Sequence, residues 1–159
     1  MGVVPGRSTR PLDVIRNVVR SIDRADLDAV VGLWRASVAE SHPFLSHEFL
    51  RETEKAMRER SLMEFETVVL DDGGIRAYLS RVGTFIDALF VDPPFQGRGL
   101  GKQLLDHAKS RSKVLELAAF SLNPRAVKFY QREGFWATTV KIHRETGESL
   151  VMLRWEGKE

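Results

Sequence analysis

The order of apolar patterns along the chain predicts an α/β fold in which a mixed β-sheet carries helices on both faces. Three observations point to it. Apolar residues recur at helical spacing through residues 23–60 and again near 100–112 and 123–134, while strand-like runs fill 65–91, 114–120 and 135–155. Turn residues such as "DDGG" at Asp71–Gly74 separate the runs. With 159 residues, 43% of them hydrophobic and 29% charged, the chain is long enough for one domain with its own core. The expected organisation is a loose, disordered leader over residues 1–11 and a single domain over 12–159.

Taken in order, "VIRNVV" from Val14 to Val19 reads as a short first strand. Asp23 offers an N-cap to a helix reaching about Glu40, because Leu27, Val30, Val31, Trp34 and Val38 share one face. Ser46 caps a second, heavily charged helix to about Arg60, and the loop between the two, "SHPFL", contains His42. "FETVVL", "IRAYLSRV" and "FIDALFV" follow as an antiparallel meander. Leu100, Leu104, Leu105 and Ala108 line a third helix that ends near Ser112, and "VLELAAF" from Val114 is the next strand. Asn123 caps a fourth helix with Pro124 at its first position and Gly134 as its stop; "FWATTVKI" and "SLVMLRW" close the chain as a hairpin.

Composition removes several function classes. There is no cysteine, so no disulfide, thiolate metal site or enzyme-bound thioester is available. The four histidines show no ligand spacing, and no metal is expected. Net charge is only +2, and Lys and Arg are scattered, as in "RETEKAMRER", so a nucleic-acid partner is not expected. No apolar run is long enough to cross a bilayer, the N-terminus lacks a secretory h-region, and Gly6 stands where a myristoylation signal needs Ser or Thr. The expectation is a cytoplasmic protein without a membrane partner.

The most informative stretch is "VDPPFQGRGLGKQLLDHAKS", Val91–Ser110, with glycines at 97, 99 and 101 between a strand and a helix. A Walker loop needs four residues between its glycines and Ser or Thr after the lysine; Gly97 and Gly101 enclose three, and Gln103 follows Lys102. The dinucleotide fingerprint needs GxGxxG directly after a strand, but the spacing is GxGxG and "DPPF" intervenes. What remains is an anion cradle. A helix N-terminus presents unpaired N–H groups and partial positive charge, and glycines remove the Cβ atoms that would hold a pyrophosphate away. The competing reading, glycines that merely turn a strand into a helix, stays open on this stretch alone.

Gln96-Gly97-Arg98-Gly99-Leu100-Gly101 resembles the Q/R-x-x-G-x-G/A signature of the GCN5-related N-acetyltransferases (GNAT superfamily). "FIDALFVDP" is similar to the family's fourth strand and "NPRAVKFYQREGF" to its N-x-x-A-x-x-F-Y-x-x-x-G-F segment; "ESHPFLS" resembles small bacterial members. The resemblance implies a mixed sheet of about seven strands with parallel, splayed fourth and fifth strands and about four helices. It implies acetyl-CoA as cosubstrate, held by the main chain of Leu89, Phe90 and Val91, by Gln96, Gly97, Arg98, Gly99, Leu100, Gly101 and Lys102, and by Asn123, with Tyr130 beside the thiol. The reaction it implies is direct acetyl transfer to a primary amine of a small molecule or protein in a ternary complex, with Tyr130 assisting the leaving thiolate. Asp87, His42 and Glu40, and further off His143 and His47, are the candidates for the general base. The acceptor, the base and the oligomeric state, including a homodimer through the last hairpin, stay open. So do two alternatives, a non-catalytic acetyl-CoA-binding module and a toxin-type acetylase of charged tRNA.

Overall fold

A computed structural model describes residues 17–158. The expected leader, and Val14 to Arg16 of the expected first strand, lie outside the described residues. Strand β1 is Val18–Ser21. Asp23 does act as a cap, but over a 3-10 turn, Arg24–Asp26, in which the Asp23 carboxylate accepts from the Ala25 N–H at 2.9 Å and Asp26 returns a bond to the Asp23 N–H at 2.8 Å. Helix α1 follows at Leu27–Ser41 and buries Val30, Val31, Leu33, Trp34 and Val38.

Helix α2, His47–Ala56, starts where the Ser46 hydroxyl accepts from the Phe49 N–H at 3.0 Å. It then runs past the expected stop near Arg60, through a π-helical stretch at Met57–Ser61 and a last α turn at Leu62–Glu64. The wider turn has a packing reason: five residues make roughly one π turn, so Met57 and Leu62, both buried, fall on one face.

The meander is β2 Glu66–Asp71, β3 Ile75–Val82 and β4 Phe85–Val91. Helix α3 is Leu100–Ser110, β5 is Val114–Phe120, and helix α4 is Pro124–Arg132. Strands β6, Trp136–Ile142, and β7, Ser149–Glu156, form the final hairpin. The seven strands order as β1-β2-β3-β4-β5-β7-β6, antiparallel throughout except for β4 and β5. The expected mixed seven-stranded sheet and its parallel central pair are both present.

Two apolar clusters sandwich the sheet. On one face α1 and the end of α2 pack with Val69 and Tyr78; on the other, α3 and α4 pack with Leu70, Leu79, Leu115 and Leu153. Strand β6 is the open edge, exposed along its whole length, with Trp136, Val140 and Ile142 in solvent. Among the described residues no helix is long and apolar enough to cross a membrane. Leu104, fully buried between α3 and the sheet, tests the packing. Leu104→Ala should lower unfolding free energy by about 2–5 kcal/mol in urea melts; a loss well under 1 kcal/mol would contradict this placement.

Candidate active site in the cleft between β4 and β5

The site begins with missing strand pairing. Strands β4 and β5 share only two registered pairs, Phe85 with Glu116 and Ile86 with Leu117, whereas β5 pairs along its full length with β7. Beyond Ile86 the two parallel strands therefore diverge. Against β3, Ser80 faces Ala88 and Arg81 faces Ile86, which leaves Asp87 as the extra residue of a β-bulge. The bulge resets the alternation: Ile86 and Leu89 side chains join one core, Ala88 and Phe90 the other.

The same register decides where the main chain points. The Asp92 N–H donates to the Arg76 carbonyl at 2.8 Å, so alternation commits Phe90 and Ala88 to β3 and turns the amides of Leu89 and Val91 toward the cleft. The Val91 carbonyl is taken by the Ser37 hydroxyl and by the Gln96 side-chain amide, each at 2.9 Å. The N–H groups of Leu89 and Val91 have no ladder partner on β5.

Beyond β4 the chain passes a 3-10 turn, Pro93–Phe95, and enters α3 through the glycines. Gly97 and Gly99 sit at φ of +79° and +81°, conformations that cost other residues roughly 1–2 kcal/mol. No side chain caps α3. The N–H groups from Gly97 to Lys102 have no acceptor among the described residues, the first bond being Gln103 N–H to the Gly99 carbonyl at 3.0 Å. Six consecutive N–H groups at the entry to α3 are thus left without a protein acceptor, the kind of donor set that can hold an anion. A Cβ added at Gly101 would lie 3.6 Å from Phe129 and Val91, so the third glycine is packed against β4 and α4 rather than strained.

Cleft, loop and α4 enclose a cavity of about 560 Å³. Tyr130 lines it from α4, buried and packed edge-on against Phe129 and Phe135 at 5.1 and 5.5 Å. Its hydroxyl has no hydrogen-bond partner among the described residues, and burial pushes its pKa well above that of an ordinary phenol. Asn123 lines the cavity too; its side-chain oxygen caps α4 by accepting from the Ala126 N–H at 3.3 Å.

On the opposite wall stands His42, among the rings of Phe44, Phe120 and Phe90 at 5.5, 5.6 and 6.1 Å. Desolvation there lowers its pKa, favouring the neutral ring. Asp87 faces the same cavity, and the surrounding protein raises its carboxyl above the usual range. More than a third of the Asp87 surface nevertheless remains open, and water at the mouth moderates that rise.

Some expected site residues stand elsewhere. Glu40 is exposed and does not line the cavity, because α1 turns Ser37 and Ser41, one turn apart, toward the cleft. His47 is exposed at the start of α2. His143 lies in the β6–β7 turn, bound through Nδ1 to Thr146 and packed on Phe120 at 5.5 Å, but is not a lining residue. Arg98 folds back over Phe95, its guanidinium 5.2 Å from the ring, and does not line the cavity, whereas Lys102 does line it, paired with Glu133 at 3.2 Å and Asp106 at 3.4 Å. Ser37, Ser41 and Phe120 line the cavity without having been singled out from sequence. The available signal was two serines at i and i+4 on a helix of otherwise apolar buried residues.

Comparison with known proteins agrees with this geometry. Residues 62–137 match the model of the "Acetyltransferase (GNAT) domain". The peptidyl-lysine N-acetyltransferase YiaC of Escherichia coli is 29% identical over 140 residues, covering 87% of this chain and 96% of that protein. The peptidyl-lysine N-acetyltransferase YjaB of Salmonella typhimurium is 33% identical over 128 residues, covering 79% and 88%. The solution structure of apo YjaB from Escherichia coli superposes with a TM-score of 0.80 at 28% identity over 90% of this chain and 99% of that one. With its diverging central strands, uncapped glycine loop and close relatives, the chain belongs to the GCN5-related N-acetyltransferase superfamily.

Proposed function

We infer that this N-acetyltransferase transfers the acetyl group of acetyl-CoA to the side-chain amine of a lysine in a protein or peptide. One observation carries the reading: the same cleft joins an uncapped row of N–H donors, from Gly97 to Lys102, to a wall of aromatic rings that surrounds the His42 imidazole. The donors suit the diphosphate of coenzyme A. The turned-out amides of Leu89 and Val91 suit its pantetheine arm and the thioester oxygen. Relatives named peptidyl-lysine N-acetyltransferases support the choice of acceptor. When bound, the cosubstrate supplies an activated acetyl thioester.

Everything else the protein must do is proton management. A lysine amine of pKa about 10.4 is almost wholly protonated at pH 7, and freeing it costs roughly 4.6 kcal/mol. The aromatic wall of His42, Phe90 and Phe120, backed by Phe44, lowers that cost by desolvating the ammonium. Asp87 and His42 both line the cavity as proton acceptors. On the leaving-group side, Tyr130 is held so firmly in its protonated form that its contribution is a hydrogen bond to the developing thiolate rather than a completed transfer.

Two measurements test this. Acetyl-CoA at one hundred times its dissociation constant should stabilise the fold by about 2.7 kcal/mol in a thermal-shift titration, and absence of any shift at millimolar ligand would end the reading. With lysine peptides as acceptors, Tyr130→Phe should lower kcat about a hundredfold while leaving the KM for acetyl-CoA within about twofold. An unchanged kcat would remove Tyr130 from the chemistry.

A further inference from the structure

We propose that Ser41 is a positioning residue that locks His42 in its Nδ1–H tautomer, so that Nε2 is the atom that takes the proton from the incoming amine. This rests on the acetyltransferase reading of the cleft. Ser41 closes α1, and its hydroxyl donates to the Ser37 carbonyl at 2.9 Å, the back-bond of a serine to the residue four before it. A hydroxyl carries one hydrogen, and the proposal assigns it to this back-bond. His42 Nδ1 lies 2.5 Å from the same oxygen. With that hydrogen on the Ser37 carbonyl, the oxygen offers Nδ1 only lone pairs, and in the proposed arrangement the ring nitrogen is the donor. A neutral ring protonated at Nδ1 has a bare Nε2. Among the described residues no protein group binds Nε2.

The arrangement is anchored on both sides. The His42 N–H donates to the Val38 carbonyl at 2.9 Å, and its own carbonyl accepts from the Leu45 N–H at 3.1 Å. Ser37, whose carbonyl receives the Ser41 proton, uses its own hydroxyl to hold the Val91 carbonyl at 2.9 Å. Two serines one turn apart thus tie the imidazole to the end of β4, the strand that presents its amides to the thioester. Around the ring stand Phe44 from the α1–α2 loop, Phe90 from β4 and Phe120 from β5. The titratable and charged groups sharing its cavity are Asp87 of β4, Lys102 of α3, Arg125, Tyr130 and Arg132 of α4 and Glu133 just beyond it; Tyr78 of β3 stands behind Phe90, and His143 of the final hairpin across Phe120.

In the step itself, one proton of the ammonium passes to Nε2. The freed nitrogen lone pair forms the C–N bond as the acetyl C–S bond breaks, its electron pair leaving with sulfur. A second nitrogen proton ends on that sulfur, and the third stays on the amide.

The test uses the full chain labelled with ¹⁵N-histidine. Ring ¹⁵N shifts of His42, read without acetyl-CoA or peptide, should show Nδ1 protonated in the wild type and a shift toward the Nε2–H form in Ser41→Ala, with Ser41→Thr restoring the wild-type pattern. In lysine-peptide acetylation, Ser41→Ala should lose about tenfold in kcat at unchanged KM for acetyl-CoA. His42→Gln should lose about a hundredfold and abolish the acid limb of the kcat profile, whose midpoint lies below about 6.5 because burial favours the neutral ring. A wild-type ring protonated at Nε2, or a Ser41→Ala ring and kcat both unchanged, overturns the proposal. If acetyl-CoA binds and peptide is acetylated normally by His42→Gln, the base assignment falls while the function stands. If no peptide is acetylated at all, the function falls, and with it the role of Nε2.

Discussion

The structure turns on an interruption of backbone pairing in the middle of its sheet. A central strand with unpaired amides is ordinarily costly, since buried N–H and C=O groups must find partners. Here β4 loses β5 after Ile86, and the groups so freed are divided between the protein and the cleft. The Val91 carbonyl is bonded twice, by Ser37 from one face of the sheet and Gln96 from the loop beyond it. The amides of Leu89 and Val91 are left to the cavity. Both layers of helices follow from this division. Helix α1 supplies the hydroxyl that holds the strand end, and α3 brings its own unpaired N–H groups to the same opening.

The site is polar chemistry held in apolar surroundings. Tyr130, Asp87 and His42 each carry the mark of desolvation in the direction that favours the uncharged form: the phenol and carboxyl upward, the imidazole downward. Around them lie Phe90, Phe120, Phe129 and the side chains of Leu89 and Val91. A cavity of this kind weakens water's hold on an ammonium and strengthens every hydrogen bond made inside it. Of the loop's cationic side chains, Arg98 is folded on Phe95 and Lys102 is paired to Glu133, while Arg125 and Arg132 line the cavity from α4. The loop therefore offers main-chain dipoles, not a cluster of free side-chain charges, to an anion.

Much of the architecture was legible from pattern alone. Leu100, Leu104, Leu105 and Ala108 specify the buried face of α3, and Ser46, Asn123 and Pro124 mark helix starts, because capping and amphipathicity act over one or two turns. Where expectation and structure part, a longer-range interaction has intervened. Asp23 starts a 3-10 turn, with Asp26 completing the capping box and binding Arg20 at 2.8 Å. Helix α2 overruns Arg60 because Met57 and Leu62 are drawn into one core through a π turn. Glu40 stays outside the site because the cleft is reached by the α1 face that carries Ser37 and Ser41.

The sequence by itself determined the element order and the glycine loop at a helix N-terminus, since both are written in local spacing and in the absence of Cβ atoms, whereas the parallel central pair followed from the family resemblance. It also placed Tyr130 and His42 among the candidates. Only the tertiary structure decided that Asp87 occupies a bulge, that Gln96 and Ser37 share the Val91 carbonyl, and that the Ser41 hydroxyl oxygen lies within reach of both the Ser37 carbonyl and His42 Nδ1. Register between strands and the set of partners around one hydroxyl are settled by contacts made in three dimensions, and neither leaves a periodic trace.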